Sequence, residues 1–286
     1  MSAGRAEPLP DFVIVGAMKC GTSTLAAQLG AQPGVFMTEP KEPNFFSDES
    51  VFAKGMPWYQ ALFAAAAPGD LKGEASTHYT KRPIHPHALP RLVEALPDAR
   101  LIYLIRDPVA RTVSHYVHEW SQGVVTGDLE TAFADHPELV EYGRYGAQIA
   151  PFVERFGAER IHVDTLEAMQ ADPQALLSRV GRFLGREGLA WVHDLERVNA
   201  SAERLRRGRF DRVLLHSAPA TWLRRALVPQ SLRDRVKASR RMAEKPVLAP
   251  ERRRALEAVF AEDRKTLHAL FPERPDLDAA YPFVAQ

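Results

Sequence analysis

Lys19 lies inside a glycine-bounded stretch, Gly16-Ala17-Met18-Lys19-Cys20-Gly21, and three hydroxyl residues follow directly, Thr22, Ser23 and Thr24. The short apolar run Phe12-Val13-Ile14-Val15 precedes it. A strand, a tight glycine loop and a helix start, in that order, gather free backbone N–H groups and the positive end of a helix dipole at one point. That is a ready anion site. Gly16 and Gly21 are spaced as in a P-loop, but Thr22 stands where a P-loop needs lysine. The cation is instead Lys19, within the loop, and it approaches a bound anion from a different side. A βα turn that holds no ligand is the plain alternative. The strand–loop–helix context, together with Lys19 and the hydroxyls, speaks against it.

A second anion-binding pair is Arg106 with Ser114. Arg106 follows Leu101-Ile102-Tyr103-Leu104-Ile105, and so stands at the carboxyl end of an expected strand, where open α/β sheets bind ligands. Ser114 comes about two helical turns later. A guanidinium suits phosphate because its planar fork gives paired, charge-assisted hydrogen bonds. Taken alone, an Arg106 paired to a carboxylate and a Ser114 on a helix surface would be the simpler account. Asp107 reads as an N-cap and Pro108 as the first helical position. A kinase or GTPase would instead need an acidic magnesium ligand after such a strand.

Proton-transfer chemistry centres on Thr38-Glu39-Pro40-Lys41-Glu42-Pro43-Asn44-Phe45-Phe46. Pro40 and Pro43 stiffen the backbone around Glu42, and Phe45 and Phe46 can anchor the loop. A desolvated Glu is raised toward the pKa of a useful base. Glu39 competes for the role, and Glu42 as a surface carboxylate is the bland reading. Lys41 is either a ligand contact or a solvated surface lysine. Ten histidines are present, and no pair has metal-ligand spacing. His78 and Tyr79, in Gly73-Glu74-Ala75-Ser76-Thr77-His78-Tyr79, are candidate substrate-site residues; a structural histidine is the alternative.

These residues need an α/β scaffold. Strands are expected at Phe12–Val15, Leu101–Ile105 and Ile161–Val163. Helices are expected at Thr22–Gly30, Val109–Trp120, about Pro173–Leu184 with Gly185 as C-cap, and Pro250–Leu270. In the last, Leu256, Val259, Phe260, Leu267 and Leu270 form a stripe that reads as core packing. The expected fold is a P-loop-like central parallel sheet flanked by helices, with a helical C-terminal part. All of 1–286 is expected to form one domain, with a donor-binding core over 11–199 and a basic, mainly helical part over 200–286. With 286 residues, 45% hydrophobic and 26% charged, the chain is ordinary globular material. One cysteine, Cys20, rules out an intrachain disulfide framework and a cysteine zinc site. A net charge of +1 gives no general case for nucleic acid. Charge is uneven, however: residues 200–254 hold 16 Lys/Arg against 5 Asp/Glu. That region is either a solvated arginine-rich face or a basic flap over an anionic ligand. No run is long enough to span a bilayer, and Met1–Pro10 lacks signal-peptide layout. A cytoplasmic protein is the expectation.

The loop around Lys19 resembles the 5′-phosphosulfate loop of sulfotransferases that use 3′-phosphoadenosine 5′-phosphosulfate, especially the carbohydrate type that includes heparan sulfate sulfotransferases and bacterial relatives. The resemblance runs in order from about Asp11 to Ser201 over three separated segments. It implies that Lys19 stabilises the leaving group, and that Cys20, Gly21, Thr22, Ser23 and Thr24 form the 5′-phosphate cradle. Arg106 and Ser114 match the 3′-phosphate pair, and Glu42 matches the general base. Arg197-Val198-Asn199-Ala200-Ser201 is similar to a further segment near the donor, with Arg206, Arg207 and Gly208 placed to close over the 3′-phosphate. Lys41, His78 and Tyr79 are the substrate-side candidates. Some relatives carry a lysine where this chain has Ala75, so that contact is missing. The implied reaction moves a sulfuryl group from the donor to a hydroxyl or amine of a glycan, glycolipid or small metabolite, releases 3′-phosphoadenosine 5′-phosphate, and needs no metal. A nucleotide-dependent kinase and a non-catalytic nucleotide-binding protein are the rival readings.

Overall fold

The computed structural model describes residues 8–193, 195, 242 and 246–284. Five strands form one parallel sheet: β1 (Phe12–Gly16), β2 (Val35–Met37), β3 (Leu71–Glu74), β4 (Arg100–Ile105) and β5 (Ile161–Thr165), in spatial order β2-β3-β1-β4-β5. β1 lies in the middle and is buried along its whole length. A parallel sheet covered on both faces needs such continuous apolar strands. Among the described residues the main helices are α1 (Thr22–Gly30), α2 (Glu49–Phe52), α3 (Met56–Ala61), α4 (Ala88–Ala95), α5 (Pro108–Gln122), α6 (Leu129–Asp135), α7 (Glu138–Glu141), α8 (Tyr145–Phe156), α9 (Leu166–Ala171), α10 (Pro173–Leu184) and α11 (Pro250–Leu270). None is long and apolar enough to cross a membrane.

The expected bounds of α1, α10 and α11 agree with the structure. The caps explain why. Asp107 accepts from the N–H groups of Val109 and Ala110 at the start of α5, with Pro108 as its first residue. Gly185 ends α10 at φ 72, in the left-handed region that glycine enters without strain. β2, β3 and the short helices between them are absent from the expectation. One stripe residue also departs from it: Val259 is 42% exposed, while Leu256, Phe260 and Leu267 are buried. A buried carboxylate, Asp263, shares their face instead. Asp263 accepts from the N–H groups of Gly146 at 2.8 Å and Ala147 at 3.0 Å, and so caps the start of α8 from another helix. The two helices touch closely there, because a Cβ on Gly146 would lie 2.6 Å from the Asp263 carbonyl.

Candidate active site

The loop between β1 and α1 is shaped from beneath. Ala17 donates to the Leu104 carbonyl at 2.7 Å. The Met18 carbonyl accepts from Arg111 Nε at 3.3 Å, and the Lys19 carbonyl from Arg106 Nη1 at 3.2 Å. Two arginines thus draw loop carbonyls inward. Gly21 is the N-cap of α1 at φ 89 and has no side chain with which to cap the helix. The first intrahelical bond is from Leu25 to the Gly21 carbonyl, so the amides of Thr22, Ser23 and Thr24 stand ahead of it as open donors. Space forces Gly16, where a Cβ would strike the Thr80 hydroxyl and lie 2.7 Å from the Tyr103 ring, whereas Gly21 is required by its left-handed φ.

Cys20 departs from its expected place in the cradle. Its thiol is fully buried, 3.4 Å from the Tyr145 hydroxyl, and its N–H is used by the Ala17 carbonyl at 3.2 Å. Burial pushes the thiol up to about 11. The residue therefore anchors the loop from below and has neither thiol nor amide left for an anion.

Arg111 is a site residue that sequence reading passes over. It has no exposed surface. Besides Met18 it donates to the Leu139 carbonyl at 3.0 Å and to His115 Nδ1 at 2.9 Å. Because Nδ1 accepts, the ring proton sits on Nε2, which faces Glu119 at 3.3 Å. Burial holds His115 down to about 3, so the imidazole is neutral.

Arg106 stands where it was expected, at the end of β4, and Ser114 is half-buried on α5. The Nε of Arg106 is buried without a hydrogen-bond partner. A buried guanidinium donor left open beside the anion loop is a polar group that a bound anion can satisfy.

Lys41 joins the loop to the candidate base. Its Nζ donates to Ser23 Oγ at 2.8 Å and to Glu42 Oε1 at 2.8 Å, with Lys41 and Glu42 29% and 34% exposed. Glu39 is exposed and Glu42 half-buried, so of the two carboxylates it is Glu42 that sits at the loop. Phe45 and Phe46 are fully buried, and Phe45 stacks on Tyr59 with centroids 4.7 Å apart. They fasten the far end of the segment to the core.

Tyr79 also departs from expectation. It is fully buried and donates to Glu74 Oε1 at 2.9 Å, which places it in the core and not on a substrate surface. His78 is half-buried and stacks on His85, with centroids 4.9 Å apart. Burial lowers His78 to about 4. Lys81, which no motif marked, is pushed down to about 8 by burial, and its Nζ lies 5.8 Å from the Tyr142 ring. Arg197, Arg206, Arg207 and Gly208 lie outside the described residues. Among the described residues no group of three or more His, Cys, Asp or Glu could hold a metal ion.

Comparisons with known proteins match the segment that carries this loop. A family model described as sulfotransferase domain matches residues 9–208. The chain is 28% identical over 198 residues to mouse heparan sulfate glucosamine 3-O-sulfotransferase 3B1, covering 64% of this chain and 48% of that protein. It is 34% identical over 135 residues to membrane-associated sulfotransferase kil1 of Dictyostelium discoideum, covering 46% of this chain and 28% of that protein. The chain thus spans about half or less of these curated relatives. A solved sulfotransferase from Alicyclobacillus acidocaldarius superposes with a TM-score of 0.66 at 25% identity, covering 92% of this chain and 96% of that one. A match over most of the chain, on the same segment that builds the anion loop, makes this protein a member of the sulfotransferase domain family.

Proposed function

We propose that the protein transfers a sulfuryl group from 3′-phosphoadenosine 5′-phosphosulfate to a hydroxyl or amine, with Glu42 as the base. The observation that carries this reading is the bridge Ser23–Lys41–Glu42. It sets a carboxylate beside the open amides of an anion loop, where an acceptor proton has to be taken up. When bound, the donor supplies the sulfuryl group and the phosphate leaving group. Lys19 and the amides of Gly21 to Thr24 hold the negative charge that gathers on the leaving oxygen. Arg106 and Ser114 hold the 3′-phosphate, and the open Nε of Arg106 supports that assignment. His78 and Lys41 face the acceptor side. One of the two curated relatives named above is, by its name, a heparan sulfate glucosamine 3-O-sulfotransferase, so a glycan is the first acceptor to try, followed by glycolipids and small metabolites.

The test is Glu42→Gln. Turnover of labelled donor should be lost while calorimetry still finds tight binding of 3′-phosphoadenosine 5′-phosphate. Turnover within a few-fold of wild type would place the base elsewhere. In the wild type, preference for ATP–magnesium over the 3′-phosphorylated nucleotide would overturn the donor assignment.

A further inference from the structure

Glu74 is the last residue of β3, and its carboxylate has no exposed surface. Three hydroxyls surround it. Oε1 accepts from Tyr59 at 2.7 Å and from Tyr79 at 2.9 Å, and Oε2 accepts from Ser76 at 2.6 Å. The Ser76 oxygen in turn accepts from the N–H of Asn44 at 3.0 Å. The direction of this chain is fixed. An amide can only donate, so Ser76 must accept from Asn44 and give its single proton to Glu74.

Asn44 sits at φ 53, in the left-handed region that asparagine enters more readily than other non-glycine residues. Its carbonyl accepts from the amides of Ser47 at 3.1 Å and Asp48 at 2.9 Å. Three residues earlier, the Lys41 carbonyl accepts from the N–H of Ala75 at 3.2 Å. The segment carrying Glu42 is therefore tied to residues 75 and 76 on both sides of Glu42. Pro43, with its locked φ, passes the placement of Asn44 to Glu42.

We propose that Glu74 is a positioning residue which, through Ser76 and Asn44, fixes where Glu42 stands in the site. This rests on the reading of Glu42 as the base. Misplacement of a reacting group by about 1 Å costs on the order of a hundredfold in rate, so the tie is of kinetic weight. The three hydroxyls use three of the four lone-pair sites of the carboxylate, so a proton takes the free site on Oε2 and turns the charge-assisted bond from Ser76 into a weaker neutral one. The groups that face Glu74 are Tyr59, Tyr79 and Ser76, with the Glu42 charge nearby; burial pushes the carboxyl up to about 7. The tie is therefore complete on the alkaline side of neutrality and loosens below it.

The experiment compares kcat, donor KM and nucleotide binding in Glu74→Gln, Ser76→Ala and Tyr59→Phe, with Glu42→Gln in parallel. Ser76→Ala should lower kcat by roughly ten- to a hundredfold, with donor KM and affinity for 3′-phosphoadenosine 5′-phosphate within about twofold. That retained binding also reports that the variant is folded. Wild-type kcat should rise through a step near pH 7 that Glu74→Gln lacks. Tyr59→Phe removes a hydrogen bond that lowers the Glu74 carboxyl, so the step should move to higher pH. Wild-type kcat in Ser76→Ala and an unmoved pH step in the other two overturn the proposal, and the base assignment survives if Glu42→Gln is dead. Full turnover in Glu42→Gln takes down both.

Discussion

Glu74 gives the structure a measurable thermodynamic signature. Burial raises its carboxyl from an ordinary 4.5 to about 7, against the hydrogen bonds from Ser76, Tyr59 and Tyr79, which lower it. Each pKa unit is worth about 1.4 kcal/mol, so the folded protein pays on the order of 3 kcal/mol to hold this group ionised. The sign follows from proton counting. Below pH 4.5 the group is protonated whether the chain is folded or not, and contributes no pH dependence. Between 4.5 and 7 the unfolded chain releases the proton while the folded one keeps it, so stability falls as pH rises. Above 7 both forms are ionised and the full cost applies. Glu74→Gln carries no such proton. The stability difference between variant and wild type should therefore move by about 3 kcal/mol in the variant's favour from pH 4.5 to pH 8, and other titrating groups cancel in that difference. Urea unfolding at several pH values in this range, extrapolated to water, measures it directly. Parallel stability–pH curves for the two proteins would refute the argument, whatever their offset.

Three further outcomes are expected. Arg106→Ala should weaken binding of 3′-phosphoadenosine 5′-phosphate by about tenfold or more, the value of a lost charge-assisted contact, and weaken ADP binding by less, since there only the hold on the Lys19 carbonyl is lost; equal calorimetric affinities of both proteins for the 3′-phosphorylated nucleotide would remove Arg106 from the 3′-phosphate site. Gly21→Ala should cost about 1–2 kcal/mol in backbone strain alone. The atoms nearest the added Cβ are the flexible ends of Met169 and Leu166, so the strain sets the effect, and melting together with nucleotide titration should show loss of both stability and affinity. Arg111→Met takes the guanidinium from the Met18 carbonyl and from His115 Nδ1, at about 1–3 kcal/mol each where they stay buried, while the Leu139 carbonyl keeps the Thr112 hydroxyl as a donor. Urea unfolding should report a loss of several kcal/mol, and nucleotide binding should weaken because the loop has lost its inner support.

Helices that announce their ends were readable in advance. Pro173 with Gly185, and Pro250 with its following apolar positions, mark α10 and α11 by capping chemistry that is local in sequence. β3 carries no such signal. Leu71-Lys72-Gly73-Glu74 has no apolar run, because Gly73 lies against the flat ring of Phe12 and Glu74 finds its partners at positions 59, 76 and 79. The site divides in the same way. The glycine loop, Arg106 and Glu42 declare themselves by spacing and by proline stiffening. What holds them is not local: Lys41 reaches back 18 residues to Ser23, and Arg111 reaches back 93 to Met18. An arginine on a helix reads as a surface residue, and only the inward-turned carbonyls of a distant loop make it an interior one. Cys20 and Tyr79 show the converse, since residues inside a functional motif can serve the core beneath it.

The cap that Asp263 places on α8 joins two events far apart in biosynthesis. Tyr145, the first residue of α8, meets Cys20 in the anion loop, while the carboxylate that closes the helix start is made 117 residues after Gly146. At about 5–20 residues per second, that interval is roughly 6 to 25 s. Until then a nascent chain has its loop and central strands but carries the open amides of α8. The support beneath the anion loop is therefore finished late in translation, and a message ending before codon 263 would release a chain that never completes it.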